Sequence, residues 1–146
     1  MQVDFYQLGA RTVEETLPSI AQRLLDTGAR LLVVSGDAAQ LKRIDAALWQ
    51  ARPESFLPHA IAGEDDDMAQ PILLSESEAA ANGARNVALA DGVWRDAALA
   101  FDRAFHLFDG QRIEEARAAW RALAGRDAVE RRYWRQDDNG RWEQAG

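Results

Sequence analysis

Arginines flank a tryptophan in the run Ala116-Arg117-Ala118-Ala119-Trp120-Arg121. On a helix, Arg117 and Arg121 lie one turn apart, on one flank of an apolar stripe formed by Ile113, Ala116, Trp120 and Leu123. Paired guanidinium forks beside an indole can hold carboxylates bidentately while the ring takes apolar surface. The chemistry implied is recognition of an acidic peptide that carries an aromatic side chain. An ordinary amphipathic helix with solvated arginines shows the same pattern, so spacing alone leaves both readings open.

Other reactive side chains are sparse. His59 and His106 are the only histidines, and neither stands in a motif with a nucleophile or with metal ligands. His59, next to Pro58, reads as a packing or hydrogen-bonding residue at a strand edge. Glu64-Asp65-Asp66-Asp67 carries the oxygen chemistry of a hard-cation site. Consecutive loop side chains rarely converge, however, and no EF-hand spacing is present, so a solvated acidic loop is expected. The chain has no Cys, which removes disulfides, thiolate ligands and thiol nucleophiles. The loops LGARTV and SGDAAQ follow the first strand-like runs, and neither contains GxGxxG; no GxxxxGK[ST] occurs anywhere. No catalytic residue, metal or cofactor is expected.

The net charge of −7 argues against a protein that coats bare nucleic acid, which needs a positive surface to neutralise phosphates. The charge is unevenly placed. Residues 1–110 hold 9 Lys and Arg against 17 Asp and Glu, a balance of −8, whereas residues 111–146 hold 8 Arg against 7 acids, a balance of +1. A local basic site on an acidic protein suits a small anionic partner. No basic segment leading into a long apolar run opens the chain, and no apolar run approaches the ~20 residues needed to span a bilayer. A soluble, cytoplasmic protein without membrane contact is expected.

The elements that must position these residues follow from periodicity. Val3–Leu8 reads as a strand ended by Gly9. Thr12 and Glu15 have capping-box spacing at the start of a helix that ends near Gly28, with Pro18 marking a late start or a kink. Arg30–Ser35 is a continuous apolar run, as expected of a buried parallel strand. Asp37 and Gln40 again have capping-box spacing, opening a helix with the core stripe Leu41, Ile44 and Leu48 and with Trp49 at the stripe's edge. Strands are expected at Pro71–Ser75, Val87–Ala90 and Ala104–Phe108, with a helix over Trp94–Arg103. Gln111–Ala124 is the clearest helix of the second half. Val129–Arg135 and Arg141–Glu143 flank Asp138-Asn139-Gly140, a hairpin signal in which Asn-Gly suggests a type I′ turn. Alternating strands and helices without repeat or linker predict one α/β domain over residues 1–146, with a doubly wound, mostly parallel sheet.

The stretch from Leu41 to Gly63, LKRIDAALWQARPESFLPHAIAG, is the most distinctive string. A Trp at a helix end, followed by Pro53 and then Phe56-Leu57-Pro58, crowds large apolar groups near a loop. The pattern LWxxxPESFLPHxxxGE, from Leu48 to Glu64, resembles the chi subunit of the bacterial DNA polymerase III holoenzyme. The order of elements around it fits the same family, from VDFYQL at the start to ARAAWRALAG and the final DDNGRW.

This resemblance implies a small Rossmann-like α/β/α subunit of DNA replication with no activity of its own. It implies pairing with the psi subunit, which tethers chi to the clamp loader. It also implies binding of the acidic, Phe-terminated C-terminal tail of the single-stranded DNA-binding protein, with DNA reached only indirectly. By position, Trp49, Arg117 and Trp120 match the family's tail-binding pocket, and Phe108 matches it across a short gap. The family's further basic residue falls on Ile113, a place that Arg112 or Arg121 would have to fill. Phe56 matches a position used to bind psi, which brings Leu57 and Pro58 with it. A repair helicase is a further partner that the Phe56 surface could serve. The rival from another class is a small nucleotide-binding domain or enzyme.

Overall fold

Residues 1–50 and 57–146 are described by the computed structural model. In chain order they form β1 (Gln2–Gln7), α1 (Val13–Asp26), β2 (Leu31–Val34), α2 (Ala38–Gln50), β3 (His59–Ile61), β4 (Ile72–Ser75), β5 (Asn86–Leu89), β6 (Arg103–Phe108), α3 (Ile113–Leu123), β7 (Glu130–Gln136) and β8 (Trp142–Gln144). The strands make one sheet in the order β3-β4-β2-β5-β6-β1-β7-β8. Every neighbouring pair is parallel except the β7–β8 hairpin at one edge. The Rossmann-like, mostly parallel architecture with a C-terminal hairpin is therefore present.

Side-chain alternation splits β1 between two cores. Tyr6 and Leu8 point to one face with Leu31, Val33, Ile72, Leu74 and Phe105, where they meet Leu17, Ile20 and Leu24 of α1 and Leu41, Ile44 and Leu48 of α2. Val3 and Phe5 point to the other face with Leu32, Val34, Leu89, Ala104 and Phe108, covered by Ala116, Ala119 and Leu123 of α3. Helices thus lie on both faces, and the central strands read as continuous apolar runs because neither side meets water.

Local signals act largely as expected, with informative exceptions. Thr12 and Glu15 close the capping box: Glu15 N–H donates to Thr12 Oγ1 at 3.2 Å and Thr12 N–H to Glu15 Oε1 at 3.1 Å. Pro18 marks no late start, since α1 begins at Val13 and runs through it. Gly28, at φ +80°, follows Thr27 and lets Ala29 N–H reach back to Leu24 C=O at 3.0 Å, so the chain turns towards β2.

The expected box at Asp37 and Gln40 does not form. Asp37 Oδ1 accepts from Ala39 N–H at 2.9 Å, while Gln40 turns inward, accepts from Ser35 Oγ at 2.6 Å and donates to Ala90 C=O at 2.8 Å. A buried amide between two strand ends is more useful as a tie between them than as a cap. The expected helix over Trp94–Arg103 reduces to a short 3-10 turn, Asp96–Ala100. The hairpin is present, but not on a type I′ turn, because Asn139 keeps a negative φ and only Gly140 is positive at +80°. Asp137 accounts for this: its Oδ1 accepts from the N–H groups of both Asn139 and Arg141 at 2.9 Å, holding a wider loop.

Candidate functional site

The arginine–indole patch is built by α3 lying across β1 and β7. Ala116, Ala119 and Leu123 are buried, so the 3.6-residue period leaves Trp120 half-buried at the stripe's edge and Arg117 and Arg121 in solvent. Trp120 meets Phe5 edge-on at a centroid distance of 5.3 Å and Tyr133 at 5.6 Å. The Arg131 guanidinium lies 4.0 Å over the indole and donates to Trp120 C=O at 2.7 Å. Ala145 and Gly146 continue the pairing along β7, and a methyl on Gly146 would stand 3.2 Å from Cζ2 of Trp120. Trp120 is therefore more framework than the sequence suggests, since Arg131 and the backbone of Gly146 already cover part of it.

β7 contributes residues that the reading of α3 alone did not include. In parallel register with β1, Phe5 pairs with Tyr133 and Gln7 with Arg135, so Arg131, Tyr133 and Arg135 share the α3 face. The Tyr133 hydroxyl donates to Gln7 Oε1. Burial raises its pKa above the ordinary phenol value, while the nearby Arg117 and Arg135 pull it back. The signal for this wall is the strand alternation in ERRYWRQ, where Arg, Tyr and Arg fall on one side. Arg117 pairs with Glu114 at 3.3 Å on the exposed helix face. Among the described residues no ion pair is recorded for Arg121 or Arg135. Ile113 packs against the α3-side core, and Arg112 is engaged by Glu115 at 3.1 Å, so neither supplies a free cation here.

The five residues expected to form one pocket do not all meet. Phe108 is buried at the carboxyl end of β6 beside His106 and Tyr133, with ring centroids 5.4 and 5.9 Å away, so it is floor rather than surface. Trp49 lies elsewhere. It is 56% exposed at the end of α2, on the opposite face, with its ring 4.9 Å from that of His59 on the edge strand β3. From β3 to β1 is five steps across the sheet, about 24 Å at ~4.8 Å per strand, so one peptide end cannot touch both Trp49 and Trp120. The physical reason is the crossover: α2 returns to the β3 edge, whereas α3 returns to β7.

Leu57 and Pro58 belong to the Trp49 side. Leu57 is buried in the α1–α2 core and Pro58 is partly exposed; Phe56 lies outside the described residues. His59 acts as the edge residue expected of it, with Nδ1 2.6 Å from Leu57 C=O and Nε2 3.0 Å from Asp45 Oδ1.

Two further features bear on chemistry. His106 is fully buried among Phe5, Trp94 and Phe108, and burial lowers its pKa to about 4, so it is neutral at pH 7. A cleft of about 680 Å³ opens at the carboxyl ends of the strands, where doubly wound folds commonly bind ligands. Several of its amides are already taken by the protein's own side chains, among them Gly9 and Arg11 N–H, which donate to Gln136 Oε1. Asp37 caps α2, Asp109 Oδ1 accepts from Gln111 N–H at 2.9 Å, and Asp91 Oδ2 accepts from Gly36 N–H at 2.9 Å. Burial works against ionisation of Asp91, yet the Arg95 guanidinium and the Gly36 and Val93 amides bring its pKa down to about 2. The lining is mixed in charge, with Arg11, Arg43 and Arg112 beside Glu14, Asp37, Asp91 and Asp109. In the acidic loop, Asp67 Oδ1 accepts from Gly63 N–H at 3.0 Å, and among the described residues no cluster of ligands suits a metal ion.

Comparison with known proteins agrees with this architecture. Residues 1–129 match the family model described as "DNA polymerase III chi subunit, HolC". DNA polymerase III subunit chi of Escherichia coli K12 is 32% identical over 79 residues, 54% of either chain. The Haemophilus influenzae subunit is 36% identical over 64 residues, 44% of either chain. That of Pseudomonas aeruginosa is 30% identical over 84 residues, 56% of this chain and 58% of its own. The matched stretches thus span about half the length of these relatives. With the family model covering the chain from β1 to the threshold of β7, the protein belongs to the chi-subunit family of DNA polymerase III.

Proposed function

We propose that this chi-family replication subunit is a non-catalytic tether with two separate docking surfaces. The α3–β7 patch takes the acidic C-terminal tail of single-stranded DNA-binding protein. The surface at Leu57 and Pro58, which lead into β3, together with Phe56 just before them in the sequence, takes psi and through it the clamp loader. The observation that carries the first assignment is the placing of Arg117 and Arg135 on either side of Tyr133, beside Trp120, on a chain whose net charge is −7. A cationic island on an acidic protein attracts a short acidic peptide and repels a long polyanion such as duplex DNA.

Trp49 moves to the second surface in this reading. Its exposed indole stands against the ring of His59, on the opposite face of the sheet from α3. A half-exposed Trp in an apolar setting is a common anchor in protein–protein interfaces. In this reading His106, sealed in aromatic packing, is a core residue, and Asp91 and Asp109 of the cleft serve the fold by accepting from the backbone amides of Gly36 and Gln111. No helix among the described residues is long and apolar enough to cross a membrane.

A single tail peptide on so exposed a patch binds modestly and loses affinity with salt. Many tails on one coated template multiply the attachment through effective concentration. The test is a pull-down of single-stranded DNA-binding protein, with and without its final residues, by wild-type protein and by Arg117→Ala. Capture that persists without the tail, or that ignores Arg117→Ala, would refute the assignment.

A further inference from the structure

We propose that the carboxylate seat of the α3–β7 patch is formed by Arg117 and Arg135 across the ring of Tyr133, so that β7 supplies half of the anion recognition. This deepens the tail-binding reading and rests on it. β7 lies wholly beyond residues 1–129, the part of the chain matched by the family model.

The argument starts from direction. β6 and β7 both run parallel to β1, so α3, which connects them, runs antiparallel to β7. Trp120 and Tyr133 mark one level, with their rings 5.6 Å apart. From that level Arg117 lies three residues back along α3, about 4.5 Å nearer the carboxyl ends of the strands. Arg135 lies two residues on along β7, about 6.6 Å towards the same end and on the same face as Tyr133. The guanidinium groups therefore converge on one end of the patch from its two walls, and both act electrostatically on the Tyr133 phenol.

The neighbouring arginines are placed differently. Arg131 is committed to the Trp120 ring and carbonyl. Arg121 lies one turn beyond Arg117 towards the amino ends of the strands, away from Arg135. Arg135 is exposed, and among the described residues it has no recorded ion pair, although Glu143 is its cross-strand neighbour. An unpaired guanidinium opposite a lightly paired one, with an aromatic ring between them, fits a single carboxylate held from both sides. The occupant is thus an acidic peptide whose carboxylate sits over Tyr133.

The test uses fluorescence anisotropy with an acidic, Phe-terminated peptide and with its C-terminal amide. Arg135→Ala should weaken the free-acid peptide about tenfold, comparable with Arg117→Ala, and Arg135→Lys should recover part of the loss. Arg126→Ala removes the same charge just beyond α3 and should change affinity less than about twofold. Amidation should weaken the wild type but matter much less in Arg135→Ala. If Arg117→Ala weakens binding while Arg135→Ala matches the Arg126→Ala control, the seat is wrong and the tail-binding reading stands. If the wild type binds neither peptide at low salt, both are overturned.

Discussion

Glu114 and Arg117 offer a perturbation whose sign can be worked out from the structure. Their contact is 3.3 Å, one turn of α3 apart, with side chains 81% and 53% exposed. Exposed pairs of this kind contribute only about 0.3–0.5 kcal/mol, because water and salt screen them. A charge-assisted bond from guanidinium to a peptide carboxylate contributes roughly 1.5–3 kcal/mol when shielded, and about half that on an open surface. Arg117→Ala should therefore weaken the tail peptide by about 1–1.5 kcal/mol, roughly tenfold. Glu114→Gln removes the competitor for the same guanidinium and should strengthen binding by up to about twofold. Titrating the labelled peptide at low and moderate salt measures both, and the gap between the variants should narrow as the salt rises. Weaker binding by Glu114→Gln, or a loss under twofold in Arg117→Ala with unchanged melting temperature, would refute the placement of the site on α3.

Trp49→Ala should leave tail affinity within about twofold, since the residue lies about 24 Å away across the sheet, while weakening capture of psi; equal loss for both partners would contradict two surfaces. His106→Phe addresses pH. The folded imidazole titrates near 4 against a usual 6.5, so the unfolded chain binds the proton first. Stability should be full above pH 6.5 and fall as pH drops towards 4, by up to about 3 kcal/mol; His106→Phe should flatten that slope in melts across the range. Arg103→Ala removes the cation, 2.8 Å away, from the buried Asp4 carboxylate and leaves it the neutral donors Gln2 Nε2 at 3.0 Å and Trp134 Nε1 at 3.2 Å. A loss of about 2–4 kcal/mol in urea unfolding is expected; an unchanged midpoint would mean that Asp4 finds another partner.

The sequence carried the fold far because its local signals are independent of distant contacts. The Thr12–Glu15 box, the Gly28 turn and the apolar run into β2 each act within a few residues. Where a local pattern misled, a long-range partner had taken the residue away. Gln40 matched a cap by spacing, yet the buried ends of β2 and β5 had greater need of its amide. Asn139-Gly140 matched a tight turn, yet the Asp137 carboxylate organised a wider one.

The candidate site divides along the same line. Arg117, Trp120 and Arg121 were legible because helical periodicity fixes which side chains share a flank. Phe108 could be placed at the end of a strand, but not below the surface, because burial depends on what crosses above it. Arg135 and Tyr133 became part of the patch only when β7 paired with β1 beneath α3, a contact between segments more than a hundred residues apart in the chain. Trp49 and Trp120 matched one tail-binding pocket by their positions in the chain. Residue order alone determined most of the strands, the three α-helices and the basic character of the last one. Only the tertiary structure decided which arginines face a common anion and which tryptophan stands apart, because crossover direction and strand order in a sheet are set by packing, not by spacing along the chain.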